Sequence, residues 1–166
     1  MIKLLSSADQ PAFVEWYNQC LLKPEMAGIM PRRYSSPPEL RDLSWERIAL
    51  ANMTEDGRYK AAIVFDIERD EVATVATALL MTEASVYLKA LIKPTLRLLS
   101  LNKVEYIEAA VSTQNTRSVR LTGRLLSHPW GTKPKGILYK GEPTDMHCYR
   151  ESLDDLKVNL SSLGLI

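Results

Sequence analysis

The apolar residues of this chain change their period once, and that change limits the folds open to it. Between residues 46 and 81 three strand-like segments follow one another, parted by two short polar reversals. The first, with Ile48, Leu50 and Met53, ends at Thr54. Asp56-Gly57, a dipeptide that tight hairpin turns favour, then brings the chain back through Tyr59 to Ile67. The charged corner Glu68-Arg69-Asp70-Glu71 reverses it again into a third segment over 72–81. From residue 85 the spacing turns helical, with Tyr87, Leu88, Leu91, Ile92, Leu98, Leu99 and Leu101 on a common stripe. An antiparallel three-stranded meander that feeds a helix is the predicted centre of the fold.

The rest of the chain extends this pattern. Upstream, 2–6 reads as a weak strand, and Ser7 with Gln10 as a capping box. Phe13, Trp16, Tyr17, Cys20 and Leu21 form one face of an amphipathic helix. Residues 23–44, with prolines at 24, 31, 37 and 38, read as a long irregular loop with a short helix near 39–43. Downstream, Pro94 lacks the N–H that a helix interior uses and costs about 3 kcal/mol there, so a kink or a restart is predicted. Asn102-Lys103 closes that helix. The strand 104–111 is apolar enough at Tyr106, Ile107, Ala109, Ala110 and Val111 for burial on both faces. Gln114 and Asn115 lead into a helix over 116–126. Pro129, Trp130, Gly131, Pro134 and Gly136 read as a loop. A terminal hairpin, 137–139 with 146–150, turns at Gly141-Glu142-Pro143, and Leu153, Leu156 and Leu160 mark a last short helix. The predicted architecture is α/β (α+β): one domain over 1–166, with a mixed, mostly antiparallel central sheet and helices on both faces.

Composition narrows the function classes. The formal net charge is +1, so no global field draws DNA, a membrane or an acidic substrate. Cys20 and Cys148 stand far apart with no Cys/His cluster around them, which is no zinc pattern. The start of the chain has too short an apolar run for a signal peptide, and no stretch suits a membrane span, so a cytoplasmic location is expected.

Local motifs sharpen the reading. The element order, the segment 98–109, the run Asn115-Thr116-Arg117-Ser118, and Asp145-Met146-His147-Cys148-Tyr149 together resemble the GNAT N-acetyltransferase superfamily, and within it the ribosomal-protein N-acetyltransferase branch. The resemblance implies an acetyl-CoA or other acyl-CoA cofactor and a primary-amine acceptor on a protein or a small molecule. It places cofactor contacts at Met81, Thr82, Ala84 and Ser85, where the fourth strand meets the next helix, and at Asn115 and Arg120. Ser118 stands at the family's N-x-x-S position and is the candidate acid for the leaving thiolate. Glu108, or Glu83, is the candidate carboxylate base. Two departures bear on catalysis. The stretch 81–88, Met-Thr-Glu-Ala-Ser-Val-Tyr-Leu, has none of the family's phosphate-cradling glycines and sets the charge of Glu83 where two phosphates would sit. Thr122 occupies the position where the family usually has an acidic tyrosine hydroxyl.

Those departures keep a second reading open. Degenerate relatives in tailed phages look similar, which implies a non-catalytic scaffold, in the virion or in host modulation, that holds a protein partner. A third class, nucleic-acid binding, would use Arg117, Arg120 and Arg124 on one helix face with Lys133, Lys135 and Lys140, and Trp130 and Tyr139 for stacking. No RNA-binding signature accompanies them, and a solvated helix face suits the net charge better. His128 and His147 read as ordinary polar contacts. The sequence leaves a homo-oligomer open.

Overall fold

The computed structural model describes residues 1–21, 39–40, 46–69, 71–82, 84–139 and 142–166. The irregular loop and short helix expected over 23–44 lie almost wholly outside the described residues, as does Glu83. The strands are β1 (Ile2–Leu4), β2 (Arg47–Met53), β3 (Tyr59–Arg69), β4 (Thr74–Thr82), β5 (Tyr106–Ser112), β6 (Pro129–Tyr139) and β7 (Glu142–Ser152). The helices are α1 (Gln10–Leu21), α2 (Ser85–Leu101), α3 (Thr116–Leu125) and α4 (Leu153–Ser162). All seven strands join one sheet in the order β1-β2-β3-β4-β5-β7-β6. Among the described residues β4 and β5 are the one parallel pair, so the sheet is mixed and mostly antiparallel, as expected.

Alternation along β2 shows how the two faces are sealed. Ala49, Ala51 and Met53 pack with Phe13, Trp16, Tyr17 and Cys20 of α1, the predicted stripe. Ile48 and Leu50 point to the opposite face, where Leu50 meets Leu91 and Ile48 meets Leu99, both on α2. Leu153, Leu156 and Leu160 of α4 join the Leu99 cluster. The meander is the predicted one, and its Asp56-Gly57 turn sets Gly57 at φ 83°, where a side chain would be strained.

Four local expectations are corrected. The cap before α1 is one residue earlier: Asp9 accepts the N–H and hydroxyl of Ser6 at 3.1 and 3.3 Å, because a 3-10 turn, Ser7–Asp9, precedes the α-helix. Gln10 is thereby freed to accept the Leu40 N–H. Helix α2 does not restart at Pro94 but runs through it. Leu91 before the proline and Thr95 and Leu99 after it are all buried, so burial on both sides holds the helix together. The segment around Pro129 and Pro134 is not a loop but β6. An edge strand needs ladder bonds on one side only, which is where proline is tolerated. The register with β7 breaks between Pro129 and Gly131 and between Lys133 and Ile137. Gly136 sits in the second break, where a Cβ would come within 2.8 Å of the Met146 side chain. Finally, β5 is not buried on both faces: Tyr106 is exposed and Glu108, Ala109 and Ala110 are half-buried, since β4 leaves β5 after three pairs.

The end of α2 is locally encoded. Lys103 takes φ 55°, its N–H reaches Ser100 O at 3.0 Å, and the Val104 N–H reaches Leu99 O at 3.0 Å. That is a Schellman closure, with Val104 and Leu99 making its hydrophobic contact. Lysine in this left-handed position is strained relative to glycine, so Lys103→Gly should stabilise the chain by about 1 kcal/mol. A rise in the urea unfolding midpoint at unchanged slope is the expected reading; a fall would refute the closure.

Candidate functional site

The feature that organises the site is a parting of two strands. β4 and β5 pair only at Val75–Tyr106, Ala76–Ile107 and Thr77–Glu108. Beyond this, β4 continues on β3 alone, from Ala78–Phe65 to Thr82–Ala61. β5 continues on β7 alone, from Ala109–Tyr149 to Ser112–Met146. A wedge opens between them, and its β4 wall over 78–82 is about 16 Å long at strand rise. A strand paired on one side directs N–H and C=O groups of alternate residues to the other, so main-chain donors and acceptors line both walls. Tyr87 does not fill the wedge. Its ring packs with Leu50, Ala61 and Leu91 over β2 and β3, its carbonyl accepts from Asn52 at 3.0 Å, and the Lys60 ammonium lies 5.9 Å from its ring centre.

The predicted cofactor residues stand at the wide end. The Met81 side chain is buried in the α1 cluster, which leaves only its main chain to face a ligand. Thr82 Oγ1 donates to Ala84 O at 2.7 Å and accepts the Ala84 N–H at 3.2 Å. The Ala84 amide is therefore engaged, and the Tyr87 N–H donates to Ala84 O at 3.1 Å, which leaves the main-chain N–H groups of Ser85 and Val86 as the ones without a partner among the described residues at the start of α2.

The opposite wall leads into α3. Ser112 and Thr144 share a buried hydroxyl contact at 3.0 Å, and Ser112 Oγ accepts the Gln114 N–H at 3.2 Å, fixing the turn. Asn115 Oδ1 then caps α3 by accepting the Ser118 N–H at 3.1 Å. The NH2 of that buried side chain has no partner among the described residues. Arg117, Arg120 and Arg124 are exposed, with no ion pair among the described residues, which is the solvated face expected for them. Glu108 belongs to the last parallel pair, at the apex of the wedge. Arg150 holds its Oε1 with Nε and Nη2, each at 2.7 Å, and the guanidinium lies 5.5 Å from the Tyr106 ring centre.

No family model and no curated protein sequence matches this chain. Solved structures do. A ribosomal-protein-S5-alanine acetyltransferase from Vibrio fischeri aligns with a TM-score of 0.69 at 14% identity, covering 93% of each chain. A GNAT-family acetyltransferase from Streptococcus pneumoniae gives 0.66 at 11% identity, covering 92% of this chain and 98% of its own. Arabidopsis thaliana NAA60 in complex with acetyl-CoA gives 0.65 at 13% identity, covering 93% and 98%. The chain has the GNAT acyltransferase fold. Within it, Met81, Thr82, Ala84 and Ser85 lie where β4 passes into α2, Glu108 at the apex, and Asn115, Ser118 and Arg120 on α3 and its cap.

One polar cluster on this GNAT scaffold was not foreseen. The Glu151 side chain is only 2% exposed. It accepts the Ser127 N–H at 3.1 Å and the Ser127 hydroxyl at 2.6 Å, and meets His128 Nδ1 at 2.9 Å. Burial pushes its carboxyl up, but the hydrogen bonds from Ser127 and His128 outweigh burial, and it titrates below the ordinary glutamate value. His147 shares a hydrogen bond with Thr132 Oγ1 at 3.1 Å and stands edge-on to the Tyr149 ring at 6.4 Å, ordinary contacts as expected. No spacing in the sequence signals the Glu151 cluster, because it depends on where β6 falls against β7. Among the described residues no group of His, Cys, Asp and Glu could hold a metal ion, and no helix is long and apolar enough to cross a membrane.

Proposed function

We propose that this chain is an acyl-CoA-dependent N-acyltransferase that gives an acetyl or similar group to a primary amine. The carrying observation is the parting of β4 and β5 after Thr77 and Glu108, which leaves unpaired main chain on both sides of a wedge. That edge suits a ligand rich in amides, such as a pantetheine arm. The Asn115 NH2, without a partner among the described residues, adds a donor on the α3 side, the Ser85 and Val86 N–H groups at the start of α2 add donors for phosphate, and Arg120 adds positive charge. The engaged Ala84 amide and the absence of glycine over 81–88 argue for weaker phosphate binding, not for none.

Bound acyl-CoA would supply an activated thioester. The chain's part is to keep the attacking amine neutral, to donate to the developing oxyanion, and to protonate the leaving thiolate. Glu108, fixed at the apex by Arg150, takes the amine proton. Main-chain N–H groups of 78–82 face the oxyanion. A protein amino group as acceptor is supported by the likeness to the Vibrio fischeri enzyme, whose own acceptor is a ribosomal-protein alanine.

Calorimetric titration with acetyl-CoA, coupled to amide hydrogen exchange, tests this. Heat of binding with slowed exchange over 78–86 and 109–118 is expected. Neither heat nor a thermal shift at millimolar acetyl-CoA would instead support the scaffold reading, in which the fold serves a protein partner.

A further inference from the structure

The cations of this chain are not spread evenly. Residues 109–141 hold six lysines and arginines and no aspartate or glutamate, while the other residues hold fifteen lysines and arginines against twenty acids. The fold gathers that stretch on one side. Helix α3 lies on β5 and β7, with Val119 and Leu125 packed against the cluster of Ile107, Val111 and Tyr149. The chain then runs through Leu126, Ser127 and His128 straight into β6, the last strand of the sheet. Arg117, Arg120 and Arg124 fall within about 60° of one helix face, roughly 4.5 and 6 Å apart along the axis. All three are exposed, as are Lys133 and Lys135 on β6, and none of the five has an ion pair among the described residues. Lys140 lies outside the described residues. β7 brings three acids beside them. Glu142 opens that strand, Asp145 Oδ1 accepts the Lys135 N–H at 3.0 Å, and Glu151 is buried against Ser127 and His128.

β6 also presents an aromatic ring. Pro129 pairs with Tyr149 and Gly131 with Cys148, so Trp130 is the extra residue of a bulge. It is 63% exposed, and no ring or cation stands against it among the described residues. A tryptophan so placed adds nothing to the core, but its flat face beside free guanidinium and ammonium groups suits a nucleobase next to its phosphates. We propose that α3 and β6 form a binding face for single-stranded nucleic acid. The arginines and lysines take phosphates, and Trp130 takes a base. An acidic protein would match the cations but would leave the ring without a stacking partner. A duplex would match them too, but its bases are already stacked and paired. This holds whether or not the wedge transfers an acyl group. The sequence alone sets 129–136 in a loop; its place as an edge strand is what joins its lysines and Trp130 to the arginines of α3.

The test is fluorescence anisotropy of labelled oligo-uridine and oligo-deoxythymidine strands of about 12 nucleotides, titrated with the full chain. Binding is expected, with a log–log salt slope of about −3, or roughly a 60-fold loss of affinity between about 50 and 200 mM salt. The two strands tell whether RNA or DNA is preferred. Arg117→Ala together with Arg124→Ala should lessen that slope by about 1, with Arg120, which also serves the wedge, left in place. Trp130→Ala should weaken binding about 10-fold at unchanged slope and remove the tryptophan quenching that wild type shows on binding, whereas Trp130→Phe keeps most of the affinity. All these positions are exposed, so urea midpoints should match wild type. No binding of either strand at about 100 µM chain and 50 mM salt overturns the proposal. So does tighter binding of a duplex of the same length. So does poly-glutamate competing as well as the oligonucleotides, with Trp130→Ala binding like wild type, which would make the face a docking surface for an acidic protein.

Discussion

Phe13→Ala is expected to remove about 3–5 kcal/mol of folding stability, a large share of the 5–15 kcal/mol typical of a domain. Phe13 is fully buried, with ring centres of Trp16, Tyr17 and Tyr59 each 6.1 Å away and Tyr59 edge-on to it. Trp16 in turn stacks on Tyr59 at 5.4 Å. Since α1 is not part of the hydrogen-bonded sheet, these side chains are what dock it, and truncation leaves a cavity that the surrounding rings cannot close. Phe13→Leu keeps most of the volume and should lose only about 1 kcal/mol. Urea unfolding of both variants decides the matter. A Phe13→Ala loss below about 1 kcal/mol would mean that α1 is not docked as described. The effect should also reach the wedge, because Leu79 and Met81 of its β4 wall belong to the same cluster. Acetyl-CoA affinity should therefore fall in Phe13→Ala under conditions where the chain is still folded.

What the sequence made legible was what neighbouring residues encode. The Asp56-Gly57 turn, the α1 stripe, the α2 stripe and the closure at Asn102-Lys103 each depend on a few adjacent positions. β6 was not legible because its prolines and glycines are loop residues everywhere except on a sheet edge, and edge position is a property of the whole sheet. Likewise Pro94 reads as a break until burial on both sides of it is known. At the site, the candidate residues on β4, α2 and α3 were named from local motif, whereas the parting of β4 and β5 is written in no local motif and follows only from the family resemblance. It arises because β5 trades β4 for β7, a strand some 40 residues later in the chain. The same distance hides the Glu108–Arg150 pair, and the register of β6 on β7 hides Glu151 with Ser127 and His128.

That last cluster carries the other large effect. Glu151→Ala should cost about 2 kcal/mol at neutral pH, and Glu151→Gln, which keeps an acceptor of the same shape, about 1 kcal/mol. Removing one partner of a fully buried ion pair costs about 3–5 kcal/mol, because the other charge is stranded. Here His128 is 73% exposed and can turn to water once the carboxylate is gone, so the smaller figure applies. The pH dependence follows from the sign of the titration. The folded chain holds the Glu151 carboxyl below its ordinary value, so its contribution is complete above about pH 5 and fades as pH falls through the lowered folded value. Wild type and Glu151→Ala should therefore differ most near neutrality and converge in acid. Unfolding free energies measured from pH 2 to 8 check this. A gap that stays constant across that range would show that Glu151 acts by packing alone, and that the hydrogen bonds from Ser127 and His128 do not favour its charged form.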